Sequence, residues 1–234
     1  METIQSRYHK TVIKSTIMDF MKGKLSKDLD LDLYILGYLQ ASYRKPVGEN
    51  PTVLRHYHNI DHILNGIENL KYFFGVKDSS KLSSEFVFAW LFHDCVYEVP
   101  APTNGNEEES ANEVLYLLEA SNLNLNRIKE LILLTKHDKN PDPSDFEANL
   151  IVELDLLGLS DPTEFFEANS ELIRKEYSYY TNEQYGKGRL AFFENFLKLK
   201  NGKIYNLVPS RNIKALENIA YEMTYLKELC NAPE

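Results

Sequence analysis

Cysteine is scarce in this sequence of 234 residues, with only Cys95 and Cys230 present. Two cysteines cannot form the disulfide framework of a small secreted domain, and neither lies in a C-x-x-C motif. The first residues, Met1 to Gln5, also lack the apolar core of a secretory signal peptide. These absences predict a protein of a reducing compartment, which we expect to be the cytoplasm.

Long apolar runs and excess positive charge are missing too. The longest apolar run, Phe86–Phe92, is far shorter than the ~20 residues of a membrane span, so we expect no membrane partner. Asp and Glu number 35 against 26 Lys and Arg, which gives a net charge of −9. A protein that binds duplex nucleic acid needs a basic face to displace counterions, so this charge balance argues against such a partner.

Convincing series of alternating strand residues are also absent, and only Lys203–Val208 suggests a short extended piece. Apolar residues instead recur at steps of three and four, the period of an amphipathic helix. This period runs through Leu31–Tyr43, Ile60–Phe74, Ala111–Leu123, Ile128–Leu134, Phe165–Tyr177, Leu190–Leu199 and Ile213–Leu229. Two starts carry recognisable caps, namely Asp161 before Pro162 and a capping box from Thr181 to Gln184. The pattern predicts an all-α fold.

The composition, 43% apolar and 12% aromatic, is typical of a globular protein, and no internal repeat or charge block divides the chain. Its length suits one large domain or two small ones, and nothing requires two. The only soft boundary lies at Gly23–Asp30, after a polar N-terminal helix. We therefore predict a helical extension over residues 1–27 and a single main domain over residues 28–234.

Histidine is also infrequent, with six residues, but four of them lie between positions 56 and 93. On a helix, His58 and His62 would project from the same face one turn apart. That spacing suits two ligands of one metal, or one ligand beside a proton donor. An exposed H-x-x-x-H pair is also often incidental, so the spacing alone does not establish a site.

Three further positions strengthen the case for a metal. The run Phe86–Phe92 is apolar on every face and ends directly at His93 and Asp94. A carboxylate at the end of so buried a helix is costly unless it is paired, although the helix could instead surface at His93 and leave Asp94 solvated. Asp155 is likewise surrounded by apolar residues. With His62, these three would form a mixed imidazole and carboxylate set suited to Mn²⁺, Fe²⁺, Zn²⁺, Co²⁺ or Mg²⁺.

The ordered residues His62, His93-Asp94 and Asp155 resemble the H…HD…D signature of the HD superfamily of metal-dependent phosphohydrolases. The chain is most similar to a branch with the motifs R-x-Y-H-N-x-x-H, F-H-D-x-V-Y, N-E-E-x-S-A, T-K-x-H and D-x-D-L. The matching segments are Arg55–His62, Phe92–Tyr97, Asn106–Ala111, Thr135–His137 and Glu153–Leu156, followed by Ile173–Tyr177, Gly188-Arg189 and Ile204-Tyr205. The resemblance runs from about Leu31 to about Leu229, and it implies a single-domain helical bundle of the HD type over residues 28–234.

Two positions depart from the branch. Glu153 stands where the first Asp of D-x-D is usual, which leaves Asp155 as the better fourth ligand. The histidine of T-K-x-H comes one position early, as His137, and Asp138 follows it.

The resemblance also implies roles for individual residues. His62, His93, Asp94 and Asp155 would hold one or two divalent ions, with Ni²⁺ added to the metals named above. The Y-H-N-x-x-H stretch is similar to one in cyclic nucleotide phosphodiesterases, which makes His58 the candidate general acid.

Glu107 and Glu108 match the N-E-E motif, and one of them would orient the attacking water or hold a second hydrated metal. Acidic residues at a helix start are also favoured by the helix dipole alone.

Lys136, His137, Arg174 and Arg189 lie in or near the matching motifs and are candidates for binding phosphate. The tyrosines at positions 177, 179, 180 and 185 would either stack a base or sugar or belong to the core. The expected reaction is hydrolysis of a phosphoester or phosphoanhydride of a small phosphorylated metabolite or nucleotide by metal-activated water.

Two alternatives stay open at this point. One is an HD-type di-iron oxygenase, whose second iron needs further histidines that only His58 and His137 could supply. The other is a non-catalytic, nucleotide-binding HD module, although all four ligand positions are filled. The sequence leaves the oligomeric state open.

Overall fold

Helices make up the regular structure of the protein in the computed structural model, which describes residues 4–24, 29–47 and 53–231. Within these ranges the α-helices are α1 (Ile4–Met21), α2 (Leu29–Ser42), α3 (Ile60–Phe74), α4 (Ser84–Phe92), α5 (Asn106–Leu117), α6 (Leu125–Leu134), α7 (Phe146–Asp155), α8 (Thr163–Glu176), α9 (Asn182–Lys200) and α10 (Asn212–Asn231). Short 3₁₀ turns occur at Ser79–Lys81, Leu157–Ser160 and Pro209–Arg211. No described residue lies in a strand, and the helices form a single domain. The predicted all-α fold is confirmed.

Helix α4 forms the centre of the bundle. Every residue from Phe86 to Phe92 is buried, as its uniformly apolar sequence predicts. Helices α1, α5, α6 and α7 pack around it. The helix begins where the Ser83 side chain accepts a hydrogen bond from the Phe86 amide. Because α4 ends at Phe92, the next residues, His93 and Asp94, are delivered to the interior of the bundle.

A close approach between α3 and α4 sets the geometry of the site. Trp90 of α4 donates an indole hydrogen bond of 3.2 Å to the carbonyl of Ile63 in α3. A Cβ atom at Gly66 would lie 2.0 Å from the Trp90 ring, so only glycine allows this contact. The ring of Trp90 also stacks on His93, with centroids 4.7 Å apart. The packing therefore fixes α3, which carries His62, against the end of α4.

One of the two predicted helix caps is present and the other is not. The capping box of Thr181 and Gln184 is present at the start of α9, as predicted. Asp161, predicted to cap α8, does not do so. The N-cap position belongs to Pro162, while Asp161 pairs with Arg211 at 3.2 Å.

The segment 203–208, predicted as a short extended piece, contains no strand residue and is irregular. Its backbone is held by Glu153, a buried carboxylate on α7 that accepts hydrogen bonds from the amides of Asn206, Leu207 and Val208. Burial raises the pKa of Glu153, and these amides partly offset the rise. Glu153 therefore anchors a loop.

Helix α1 packs against α2, α3 and α4, and its Ile13, Ile17 and Met21 are buried. The predicted boundary between residues 27 and 28 lies outside the described residues, so the division into an extension and a main domain stays a prediction. Among the described helices, none is long and apolar enough to cross a membrane.

Candidate metal centre

Four side chains from three segments of the chain meet at one point in the bundle. His62 comes from α3, His93 and Asp94 follow α4, and Asp155 is the last residue of α7. Each offers a ligand atom, and these atoms all lie within 4.8 Å of one another. The structure therefore brings together the four residues that the sequence predicts as ligands, and the group could hold a metal ion.

The orientation of His93 suits a metal ligand. Its Nδ1 lies 2.8 Å from the carbonyl of Trp90, a contact in which Nδ1 donates the ring N–H, and Nε2 is the nitrogen that faces the group. Nε2 is buried and lies 3.2 Å from Asp94 Oδ2 and 3.4 Å from Asp155 Oδ1. It has no hydrogen-bond partner of good geometry in the described part of the chain. Two imidazoles and two carboxylates around such an atom are a donor set that divalent metals accept.

Asp155 is the most heavily contacted member of the group. Its Oδ1 lies 3.1 Å from His62 Nε2, and its Oδ2 lies 2.8 Å from His137 Nε2. Burial disfavours the charged form, but hydrogen bonds from the surrounding histidines lower the pKa of Asp155 well below its usual value. The carboxylate is therefore ionised at neutral pH, as a metal ligand must be.

His137, predicted to bind substrate, contacts the carboxylate of Asp155, one of the four residues of the His/Asp group. It adopts a left-handed backbone conformation with φ 57°, which is unfavourable for a side chain of its size. Because Nε2 is engaged by Asp155, the geometry favours a role in orienting that carboxylate. His137 also lines the cavity described below.

Arg55 holds the backbone at Asp94 and Cys95 by hydrogen bonds. Its two terminal nitrogens donate to the carbonyls of Asp94 and Cys95, at 2.6 and 3.0 Å. Burial works against ionisation of Asp94, but the adjacent His93 lowers its pKa to about 2. The sequence signal for Arg55 was its place at the start of the R-x-Y-H motif, but no role was assigned to it.

His58 is held by a residue that sequence reasoning missed. Its Nδ1 lies 2.6 Å from Oε2 of Glu176, the buried last residue of α8. Burial alone would lower the pKa of His58, but the Glu176 carboxylate raises it above its usual value. The only signal for Glu176 was its position in the Ile173–Tyr177 segment.

A cavity of about 680 Å³ adjoins the centre, within the range of about 300–1,000 Å³ typical of small-molecule sites. Its lining includes Asp94, Asp155 and His58. Helices α8 and α9 form much of the remaining wall. Side chains of that wall include Phe166, Ile173, Tyr177, Tyr185, Arg189 and Phe192.

The two predicted catalytic glutamates, Glu107 and Glu108, lie in different surroundings. Glu107 lines the cavity, and burial, followed by the nearby Asp94 charge, raises its pKa above the usual value. Glu108 instead forms an ion pair with Lys129 of α6. The structure therefore places Glu107 on the cavity wall and Glu108 beside Lys129, and the catalytic role of either glutamate stays a prediction.

Of the three remaining residues predicted to bind phosphate, two line the cavity and one does not. Lys136 and Arg189 both line the cavity. Arg174 is not part of the lining, because its guanidinium donates to the carbonyls of Tyr177 and Tyr180 and to Asn182 Oδ1, at 2.8 to 3.0 Å. Arg174 thus stabilises the turn between α8 and α9, and its predicted substrate contact is not supported.

Only part of the predicted tyrosine patch lies at the cavity. Tyr177, Tyr180 and Tyr185 line the cavity, whereas Tyr179 is 71% exposed and does not.

The described bundle, with a His/Asp group that could hold a metal, fits an HD-like fold. No protein-family model matches the sequence, and no curated protein matches it. The chemistry of the site must therefore be inferred from its own residues.

Proposed function

We propose that the protein is a metal-dependent phosphohydrolase of the HD superfamily. Its substrate would be a phosphoester or phosphoanhydride of a small phosphorylated metabolite or nucleotide. The observation that carries the proposal is that one cavity is lined both by Asp94 and Asp155 of the four-residue His/Asp group and by the carboxylate-anchored His58. That combination supplies what phosphoryl hydrolysis needs, namely a place for a cation and a positioned proton donor.

The four ligands His62, His93, Asp94 and Asp155 would hold the ion. A divalent ion bound there would lower the pKa of a coordinated water to near neutrality and offset charge on the phosphoryl oxygens. The ligands themselves are prepared for this task, because Asp94 and Asp155 are ionised and His93 presents Nε2 to the centre.

His58 is the proton donor in this proposal. Glu176 occupies Nδ1, which leaves Nε2 to protonate the departing oxygen. The ring also stacks on Tyr97 at a centroid distance of 4.0 Å, so its orientation is fixed on a second side. The raised pKa of His58 favours the protonated ring, which is the form that acts as a general acid.

Glu107 is placed to accept a hydrogen bond from the attacking water. It lies on the cavity wall at the start of α5, close enough to Asp94 for the two charges to repel. Lys136, half exposed at the cavity wall, supplies a positive charge for the phosphate group.

The di-iron oxygenase remains the second candidate. His58 Nδ1 contacts Glu176 and His137 Nε2 contacts Asp155, so each ring keeps one nitrogen that a second iron would need. We prefer the phosphohydrolase because Glu176 raises the pKa of His58, which favours a proton donor over a neutral metal ligand.

Phosphate release from metal-loaded protein tests the proposal. The protein is stripped with a chelator, reloaded separately with Mn²⁺, Mg²⁺, Fe²⁺, Zn²⁺, Co²⁺ or Ni²⁺, and incubated with nucleotides, sugar phosphates and pyrophosphate. We expect release with at least one metal, and its loss in Asp94→Asn. Glu153→Gln changes another buried carboxylate of structural function and serves as the matched control.

Two outcomes would favour the alternatives. Oxygen consumption by the Fe²⁺-loaded protein without phosphate release would indicate an oxygenase. Nucleotide binding without turnover under every metal would indicate a non-catalytic module.

A further inference from the structure

A single arginine, Arg189, lies on the α9 wall of the cavity and is 17% exposed. Its Nε donates to Oε1 of Glu222 at 3.1 Å. The guanidinium lies over the ring of Phe193, 4.6 Å from the centroid. These contacts fix the plane of the guanidinium in a partly buried setting.

The hydrogen bond through Nε leaves the outer edge of the group to the cavity. No described residue forms a hydrogen bond with the terminal nitrogens of Arg189. A guanidinium edge presents two parallel N–H donors, which match the spacing of two oxygens of a phosphate or carboxylate. Glu222 also accepts the Ser170 hydroxyl at 3.0 Å, so its carboxylate serves as a fixed support for the arginine.

The neighbours of Arg189 can add neutral donors. Burial raises the pKa of Tyr57, Tyr177 and Tyr185, and the Arg189 charge partly opposes each rise. The guanidinium therefore acts on all three rings, which remain neutral phenols at physiological pH. Phenol hydroxyls donate hydrogen bonds to anions without adding negative charge.

Arg189 and the metal ligands belong to different walls of the cavity. The ligands come from α3, α7 and the end of α4, whereas Arg189 lies on α9, which packs mainly on α10. Phe166, Ile173 and Phe192 line the α8 and α9 side with it. A substrate with its phosphoryl group at Asp94 and Asp155 would share the cavity with these apolar side chains and with one fixed cation.

We propose that Arg189 binds a second anionic group, a phosphate or carboxylate, carried by the leaving group of the substrate. The substrate class is then a phosphorylated metabolite with two anionic groups, of which one is cleaved and one is retained. In the reaction the bond from phosphorus to the leaving oxygen breaks, water supplies the new oxygen on phosphorus, and His58 gives its proton to the leaving oxygen. The inference rests on the proposed function for the identity of the cleaved group.

Paired substrates test the inference. Glycerol 3-phosphate and 3-phosphoglycerate differ by a carboxylate, and glucose 1-phosphate and glucose 1,6-bisphosphate differ by a phosphate. We expect wild-type protein to favour the doubly anionic member of at least one pair by about 10-fold or more in kcat/KM. The pair that shows the preference identifies the second group.

Variants of Arg189 assign the preference to this residue. Arg189→Gln should raise KM for the doubly anionic substrate by about 10-fold or more and change the singly anionic one by about 2-fold or less. Arg189→Lys should restore only part of the preference, because an ammonium lacks the planar fork. Lys187→Gln removes an exposed charge from the same helix and is the matched control.

The Arg189→Gln variant leaves Glu222 buried and without its cation, which could impair folding. The double variant Arg189→Gln/Glu222→Gln replaces the ion pair by two neutral amides and removes that complication. Equal effects on both members of a pair, in a folded variant, would overturn the inference.

Binding without turnover separates this inference from the proposed function. Calorimetry on chelator-treated protein compares glucose 1,6-bisphosphate with glucose 1-phosphate, and 3-phosphoglycerate with glycerol 3-phosphate. Tighter binding of the doubly anionic ligand that Arg189→Gln abolishes supports the anion site, even if no phosphate is released from any substrate. Equal binding within both pairs by wild-type protein overturns it, even if hydrolysis is observed.

Discussion

Glu176 holds His58 through both the side chain and the backbone. Oε2 of the carboxylate lies 2.6 Å from His58 Nδ1, while Oε1 accepts hydrogen bonds from the amides of His56, Tyr57 and His58 at 2.7 to 3.0 Å. Burial opposes ionisation of Glu176, but the histidine and the amides lower its pKa below the usual value. One buried carboxylate thus holds the loop before α3, orients the ring of His58 and raises the pKa of that ring.

Replacement of this carboxylate should change the pH dependence of activity. Because Glu176 raises the pKa of His58, Glu176→Gln should lower that pKa and move the alkaline limb of the kcat profile to lower pH. The rate at neutral pH should fall by about 10²-fold, since the general acid is both misoriented and partly deprotonated. Phosphate release measured across the pH range checks the expectation.

A control distinguishes this effect from a loss of folding. Glu153→Gln also alters a buried carboxylate that accepts backbone amides, and it should leave the alkaline limb unchanged. An identical pH profile for wild-type protein and Glu176→Gln would show that Glu176 does not act through His58.

The same pair should affect stability with a defined sign. A histidine whose pKa is raised on folding contributes stability that is complete below its unfolded-state pKa and lost as pH rises through the folded-state pKa. Wild-type protein should therefore lose more of its free energy of unfolding than Glu176→Gln over that alkaline interval. Chemical denaturation at a series of pH values measures the difference.

Metal binding should stabilise the fold. A ligand at about 100 times its Kd stabilises the folded state by about 2.7 kcal/mol, which for a domain of this size corresponds to about 5–10 °C in Tm. Addition of a chelator should reverse the shift, and Asp155→Asn should abolish it. Glu153→Gln, two positions away on α7, should retain it. A metal-induced rise in Tm that survives in Asp155→Asn would place the ion elsewhere.

Local patterns explain why the His/Asp group and the fold class could be predicted. His58 and His62 are four positions apart, and Asp94 follows a run that is apolar on all faces, so sequence neighbours carry both signals. The helical spacing itself is not realised, because α3 begins at Ile60 and His58 lies in the loop before it. Helix α7 was missed because its residues from Ala148 to Leu154 are buried all round, which removes the amphipathic stripe that marks other helices.

The role of Glu176 could not be read from local patterns. It lies 118 residues beyond His58 in sequence, and only tertiary packing brings the two together. Glu171 and Glu176 share the amphipathic helix α8, yet Glu171 is exposed and Glu176 is buried. The spacing of residues along a helix does not predict which of its acidic side chains contacts a histidine that is distant in sequence.

The different surroundings of the neighbours Glu107 and Glu108 likewise cannot be read from the sequence. Glu107 faces the cavity and Glu108 pairs with Lys129, so Glu107→Gln should lower kcat by about 10²-fold and Glu108→Gln by less than about 2-fold. The reason is that, of the two, only Glu107 lines the cavity in which the proposed reaction would take place. Steady-state kinetics of the two isosteric variants check it. Equal losses in both would mean that the helix start acts through its total charge.

Two glycines inside helices should respond to the same substitution with opposite signs. A Cβ at Gly188 of α9 meets no heavy atom within 4 Å, because the residue borders the open cavity. Gly188→Ala should therefore stabilise the protein by about 0.5–1 kcal/mol, since alanine loses less backbone entropy on helix formation. Thermal or chemical unfolding of the variant measures the gain.

Gly66→Ala brings the same gain in helix propensity but places its Cβ 2.0 Å from the Trp90 ring. The ring lies in the core, donates to Ile63 and stacks on His93, so it cannot move without disturbing the centre. We expect a loss of stability of about 1–3 kcal/mol and weaker metal binding, because overpacking separates α3 from α4. Unfolding curves and metal titration report the two effects. If Gly66→Ala kept full metal affinity, the close approach of these helices would not be what places His62 beside His93.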